Sequence, residues 1–406
     1  MPTTKYTKKN AEALGLARIE TLDILEERLN DFITNGERQA IIIKITRNGH
    51  EIFSGAYGEN TKPYGLKPDT IFAVMSLTKP TISTLLMILQ EDGLVDLNEN
   101  IGWYLPEFTG GGRENICLYN FLTHTSGLKD DDIWSGVGEY IAKEYRLIEP
   151  ERRASQKTKD AYHKKLCKKM GLNPDASEND RMNDPYYIVS LKLDIKYEPR
   201  SHMTYCNYGY QKLKEVIDVV TDQPIDEFAQ QRLFKPLNMK NTYWNVPESK
   251  WDQIIGRGET CMGYPFLNEK GSFQNESGGG GLKSTVEDFT NFGQMILSEG
   301  KYNGNQILSR RSIFEMIRNH NQGIAPDNPF APWALGWNIR DNKKDDSGIL
   351  RSSNCIDHGG WAGTKIIIDP EEKVTMAIFT VEYDAQIKPW RSLYGFMVNT
   401  LYSSFV

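Results

Sequence analysis

Three things are scarce in this sequence. Its 406 residues include five cysteines, Cys117, Cys167, Cys206, Cys261 and Cys355, odd in number, scattered and without a C-x-x-C pair, so neither a disulfide framework nor a zinc site is expected. No run of about 18 apolar residues occurs, and the opening MPTTKYTKKNAEALGLARIETL lacks the apolar stretch of a secretory signal. The expectation is a cytoplasmic protein with no membrane partner. Positive charge is also in short supply: 48 Lys and Arg stand against 54 Asp and Glu, a formal net charge of −6, which argues against a nucleic-acid partner. Common enzyme signatures are missing too. Neither H-E-x-x-H nor G-x-S-x-G is present. In Gly278–Gly281 followed by Lys283-Ser284, Leu282 separates the last glycine from the lysine and breaks the phosphate-loop pattern. No metal and no cofactor is expected.

What is there reads as a globular enzyme-sized chain, 39% hydrophobic and 25% charged, with length enough for a sizeable core. Residues 17–33 set Ile19, Leu22, Leu25, Leu29, Phe32 and Ile33 on one helical face. Two strands, 41–46 and 50–54, flank Arg47-Asn48-Gly49, whose Asn-Gly pair suits a tight hairpin. The run 80–90 is helical and closes at Gly93. Ser284-Thr285-Val286-Glu287 reads as a capping box opening a helix to about Leu297. Strands are expected at 335–339, 364–369 and 374–380, and a last helix at about 388–402. Residues 151–170 hold eight bases (Arg152, Arg153, Lys157, Lys159, Lys164, Lys165, Lys168, Lys169) and two acids, a solvated helical excursion. Strands at both ends with helices between them imply an α+β fold. The expected limits are a discontinuous sheet domain, 1–75 and 280–406, carrying a mostly helical domain, 76–279, with the basic excursion at about 145–185.

Three motifs can carry chemistry. Ser76-Leu77-Thr78-Lys79 puts a hydroxyl and an ammonium three apart, on one face of a helix start. A serine needs a neighbouring base, which a desolvated lysine can supply or assist, and the first helical turn offers N–H groups to an oxyanion. Alone, S-x-x-K occurs by chance in most chains of this size. In Tyr205-Cys206-Asn207, just before a helical run, Tyr and Asn point the same way in extended backbone. A phenol near an ammonium can act as base, and the Asn can bond Lys79 and a substrate carbonyl. His358-Gly359-Gly360-Trp361 precedes the strand 364–369, and its glycines permit close approach of an extended ligand. The Trp361 N–H can pair with that of Ser76 as an oxyanion hole. Cys206 and Cys355 have no His/Asn set beside them and read as packing residues, and His124 as a loop brace.

In this order and spacing, S-x-x-K, Y-x-N and H-G-G resemble the serine β-lactamase and penicillin-binding-protein superfamily. More narrowly they resemble its class C and family VIII esterase branch, which also includes polyketide-pathway acyltransferases. Supporting phrases are Gly93-Leu94-Val95-Asp96-Leu97 with Tyr104-Leu105-Pro106, Leu122–Leu128 (LTHTSGL) and Gly278–Leu282 with Ser284-Thr285. The likeness covers roughly residues 38–400. It implies a β-lactamase/transpeptidase-like fold, an antiparallel sheet from both chain ends flanked by helices. It implies Ser76 as acylated nucleophile, Lys79 and Tyr205 as the proton-transfer pair, and Asn207, His358, Gly359 and Gly360 as substrate-binding. The oxyanion would rest on the N–H groups of Ser76 and Trp361.

One departure stands out. β-Lactamases carry K-T-G where this chain has H-G-G, and a mostly neutral His weakens recognition of a substrate carboxylate. Serine hydrolysis of esters or amides is therefore the first expectation. The alternative is an acyltransferase drawing on an acyl carrier or CoA thioester, with the basic stretch 151–170 as a lid or as a dock for an acidic partner such as the carrier. A catalytically silent binding protein is the third.

Overall fold

The computed structural model describes residues 13–151, 155–176, 180–258, 264–324, 332–343, 347–382 and 392–405. Two compact units emerge: the described residues up to Val95 together with those from Tyr210 onward, and Asp96–Gly209.

In the first unit, α1 (Glu20–Thr34) leads into the hairpin β1 (Ala40–Arg47) and β2 (His50–Gly58). Asn48 and Gly49 both take positive φ, 52° and 79°, the backbone of a tight primed turn. The short strand β3 (Phe72–Ala73) precedes a 3-10 turn, Met75–Leu77, and α2 (Thr78–Glu91). Much later β4 (Lys283–Ser284) pairs antiparallel with β3, and β5 (Lys301–Tyr302) forms a small hairpin with β6 (Asn305–Gln306). The strands β7 (Asn338–Ile339), β8 (Ile356–Gly360), β9 (Thr364–Asp369) and β10 (Val374–Thr380) complete a six-stranded sheet of order β2-β1-β10-β9-β8-β7. β1 lies between β2 and β10, Ile43 opposite both Gly55 and Ile378, so the two ends of the chain meet in one sheet.

Burial explains the strand compositions. β1 is buried along nearly its whole length, as expected for a central strand covered on both faces. Ile41, Ile43 and Ile45 pack into a core with Leu22, Leu25, Leu29 and Phe32 of α1 and with Leu393, Met397 and Leu401, the latter from the closing helix Leu393–Tyr402. On another side the helix Val286–Leu297 lies against β10, with Phe289 stacked edge-on to Phe379 at 5.8 Å. Gly293 lets that helix approach Thr375 closely, since a Cβ there would meet the threonine side chain.

The expected strands 41–46, 50–54, 364–369 and 374–380 all form. The expected strand at 335–339 shrinks to Asn338–Ile339, because Gly336 turns left-handed, φ 78°, against Ser83 of α2. The helix expected from Ser284 starts one residue later: Thr285 is the cap, its hydroxyl accepting from Asp288 N–H at 3.2 Å, while Ser284 belongs to β4 and bonds Thr242. The closing helix begins at Leu393 with Ser392 as cap; the stretch 388–391 of that expectation lies outside the described residues. The compact units also divide elsewhere than the expected limits at 75/76 and 279/280. α2 is buried from Thr78 to Leu89 and groups with the sheet, so the break falls after it.

The second unit holds α3 (Asp130–Tyr145) and α4 (Gln156–Met170) among loops and short helices. Arg113, almost fully buried, donates to the carbonyls of Gly110, Ser190 and Leu193. Of the basic stretch 151–170 expected as an excursion, Gln156–Met170 form α4, capped by Ser155 and closed by Gly171 at φ 73°, and Arg152 and Arg153 lie outside the described residues. Leu166 and Cys167 face inward, whereas Lys157, Lys164, Lys165, Lys168 and Lys169 are exposed. Among the described residues no helix is long and apolar enough to cross a membrane.

Candidate active site

Ser76 sits in the 3-10 turn before α2. Met75, its predecessor, takes φ 50°, a conformation that costs a non-glycine residue about 1–3 kcal/mol and is kept only where surroundings impose it. The surroundings here are explicit. Thr78 Oγ1 donates to the Met75 carbonyl at 2.6 Å and accepts from Leu282 N–H at 3.0 Å, and Val74 N–H donates to the Leu282 carbonyl at 3.0 Å. The turn is thus pinned to the segment that follows the glycine run.

Lys79, one helical turn on, is fully buried. Its Nζ donates to Ser76 Oγ at 3.0 Å and to the Gly279 carbonyl at 2.7 Å, and stands 5.5 Å from the Tyr210 ring centroid. A buried ammonium is costly unless hydrogen-bonded, and these contacts offset that cost while aiming it at the serine hydroxyl. The glycine run makes this possible: a Cβ at Gly278 would overlap the Tyr210 carbonyl, and one at Gly281 the Asn275 carbonyl. Behind it Lys283 Nζ donates to the carbonyls of Trp244 (2.7 Å) and Asn275 (3.2 Å). Burial pushes that ammonium down to about 7, against the pull of Asp226 and Glu276.

The H-G-G motif precedes the strand Thr364–Asp369, as the sequence suggests, and itself lies inside a further strand, β8. Its two glycines differ. A Cβ at Gly360 would overlap the Val74 carbonyl oxygen, whereas one at Gly359 would meet only ordinary contacts, with Lys365 at 3.6 Å. Gly360 therefore seats β8 against the Ser76 turn, assisted by Thr364 Oγ1 donating to the Val74 carbonyl at 2.9 Å. The buried His358 ring bonds the Gly359 carbonyl through Nδ1 at 3.0 Å and meets Trp333 edge-on. Burial, and then the Lys79 charge, pushes its pKa down to about 3, so the ring is neutral at pH 7. Asp357 beside it ion-pairs with Arg351 (2.6 Å) and Lys365 (3.0 Å); although burial opposes it, those charges hold the carboxyl well below the usual range. Trp361, past the strand end, is 45% exposed.

Tyr205 and Asn207 belong to the second unit. Both are exposed and the intervening Cys206 is buried, as the two-residue spacing predicts. Asp130 holds the segment: its Oδ2 accepts from Asn207 N–H (2.8 Å) and Nδ2 (2.7 Å), its Oδ1 from Tyr208 N–H (3.0 Å). Cys206 Sγ also contacts Asp130, and burial, then the Asp130 charge, pushes that thiol well up. Cys355 is buried likewise; both fit packing rather than nucleophilic roles.

Within the first unit, then, Ser76, Lys79 and the β8 residues are brought to one turn, and within the second Tyr205 and Asn207 are presented together. Three contributors were missed in the sequence. Gly279 lies in a run visible as glycines but with no hint of its carbonyl's partner, Asp130 hides in the triplet Asp130-Asp131-Asp132, and nothing marks Met75 as strained.

A sheet from both chain ends with a helix-borne S-x-x-K turn beside a terminal strand defines the class: serine enzymes that form acyl-enzymes on the penicillin-recognising fold. The chain belongs to the Beta-lactamase family, matching it over residues 25–384, and is accordingly a serine acyl hydrolase or acyltransferase acting on small acyl substrates. It is 24% identical over 377 residues to the N-acetylmuramyl-L-alanine amidase of Bacillus subtilis (strain 168), covering 84% of this chain and 76% of that protein. Similar solved structures include EstCE1, a hydrolase with promiscuous acyltransferase activity (TM-score 0.66, 17% identity, 95% and 98% of the two chains). Simvastatin synthase (LovD) from Aspergillus terreus is similar as well (0.67, 16%, 95% and 98%).

Proposed function

We propose that the protein is a serine esterase in which Ser76 is acylated. The observation that carries this is the buried Lys79 ammonium donating to Ser76 Oγ at 3.0 Å. In the proposed cycle Ser76 Oγ attacks the ester carbonyl and its proton passes to the Lys79–Tyr205 pair. The N–H groups of Ser76 and Trp361 receive the oxyanion, the alcohol leaves with the returned proton, and water then repeats the sequence on the acyl-enzyme. Asn207 orients Lys79 and the substrate, and Gly359, where the backbone has room, lets it lie along β8. A neutral His358 supplies no charge for a carboxylate, which favours neutral esters over β-lactams or peptide termini. Incubation with a short p-nitrophenyl ester should give turnover that Ser76→Ala abolishes. A fluorophosphonate probe that left Ser76 unlabelled would support a silent binding protein instead.

Acyl transfer is the second reading, favoured by the activities in the names of EstCE1 and simvastatin synthase and by the exposed lysines of α4, suited to an acidic acyl carrier. It keeps the enzyme in the cytoplasm, with carrier or CoA thioesters as donors. Offering the acyl-enzyme a panel of alcohols and amines, and comparing new ester or amide with free acid, separates the two.

A further inference from the structure

His124 adopts φ 58° and its ring is buried. A bulky residue in the left-handed region is uncommon and worth an explanation. Three contacts supply one, and all converge on Tyr205. The His124 carbonyl accepts from Thr204 N–H at 2.8 Å, its Nδ1 accepts from Cys206 N–H at 3.1 Å, and its ring lies 4.3 Å from the Tyr205 ring, tilted 34°. One residue thereby fixes the backbone on both sides of Tyr205 and one face of the phenol ring. A backbone N–H can only donate, so Nδ1 must present its lone pair and the neutral ring carries its proton on Nε2.

We infer that His124 is a positioning residue for the reaction: it sets the direction of the Tyr205 phenol and acts through it. This rests on the reading of Tyr205 as a partner in proton transfer. Asp130 does the corresponding work for Asn207 from α3, so each of the two exposed side chains has its own anchor. The left-handed backbone is what turns the His124 carbonyl and Nδ1 toward one segment, Thr204–Cys206, at once, which explains why the strain is retained.

Two substitutions separate the contacts. His124→Asn keeps a side-chain acceptor and tolerates the left-handed backbone but loses the stacked ring; His124→Phe keeps a ring and loses the acceptor. Misplacing a proton-transfer group by about 1 Å costs on the order of 10²-fold, so His124→Phe should lower kcat about 30- to 100-fold with KM changed less than about twofold, and His124→Asn should recover part of the loss. In the Tyr205→Phe background His124→Phe should add almost nothing, because both act through one phenol. Independent, multiplying losses would overturn the inference. A readout free of turnover is the 13Cζ resonance of Tyr205, assigned by its disappearance in Tyr205→Phe. It should shift in His124→Phe, and an unmoved resonance would also overturn the inference. If Tyr205→Phe itself keeps full activity, the role given to Tyr205 fails while the resonance shift still tests the clamp.

Discussion

Lys79 shows how one residue can serve activity at the expense of stability. Its ammonium is fully buried yet points at Ser76; a buried charge is costly to desolvate, and groups held for activity commonly lower stability. Lys79→Met should therefore cut ester turnover about 10²- to 10⁴-fold, the range of acid–base catalysis, while a thermal melt shows Tm unchanged or raised. A large fall in Tm would mean that Lys79 is chiefly structural. His358 gives a pH signature. Its folded pKa of about 3 lies below the ordinary 6.5, so between those values the unfolded chain binds the proton and the folded chain does not. Stability from this group is full above pH 6.5 and falls as pH drops toward 3, by on the order of 1 kcal/mol for each pH unit crossed in that window. Urea titrations from pH 7 to 4 should show that loss, and His358→Gln should flatten it.

Among the elements, β8 joins fold to chemistry through two adjacent glycines. Gly360→Ala should force β8 away from the Val74 carbonyl, destabilising by about 1–3 kcal/mol and lowering activity with Tm. Gly359→Ala should fold normally, because its surroundings are roomy, yet raise KM by narrowing the approach along the strand. Equal Tm losses in the two variants would contradict this assignment. The same strand marks the limit of what the sequence discloses. S-x-x-K could be placed because its partners are local, three residues apart on a helix, and Tyr205 with Asn207 because alternation is local too. Lys79 and Gly279 lie 200 residues apart, and no local pattern announces a carbonyl partner. H-G-G was legible as a motif before the strand 364–369, but the strand that holds it was not, since glycines weaken the strand signal that pairing with β9 restores.

At the scale of the whole molecule, the sheet built from both chain ends was legible because β1, β9 and β10 are apolar runs bounded by turn signals. The limits of the compact units were not, since α2 reads alike as the start of an inserted domain or as a core helix. Charge also acts at this scale. α4 offers exposed lysines on a chain of net charge −6, and exchanging Lys164, Lys165, Lys168 and Lys169 for Glu should raise KM for a carrier-bound thioester about tenfold at low salt, with p-nitrophenyl ester kinetics unmoved. Equal effects on both substrates would remove α4 from carrier recognition. The central claim, an acyl-enzyme on Ser76, is tested most directly by mass spectrometry of protein quenched during turnover of a p-nitrophenyl ester, followed by peptide mapping. The account predicts an adduct of the acyl mass on the peptide carrying Ser76, absent in Ser76→Ala and strongly reduced in Lys79→Met. Turnover that persists in Ser76→Ala, with no adduct at residue 76 in the wild type, would contradict it.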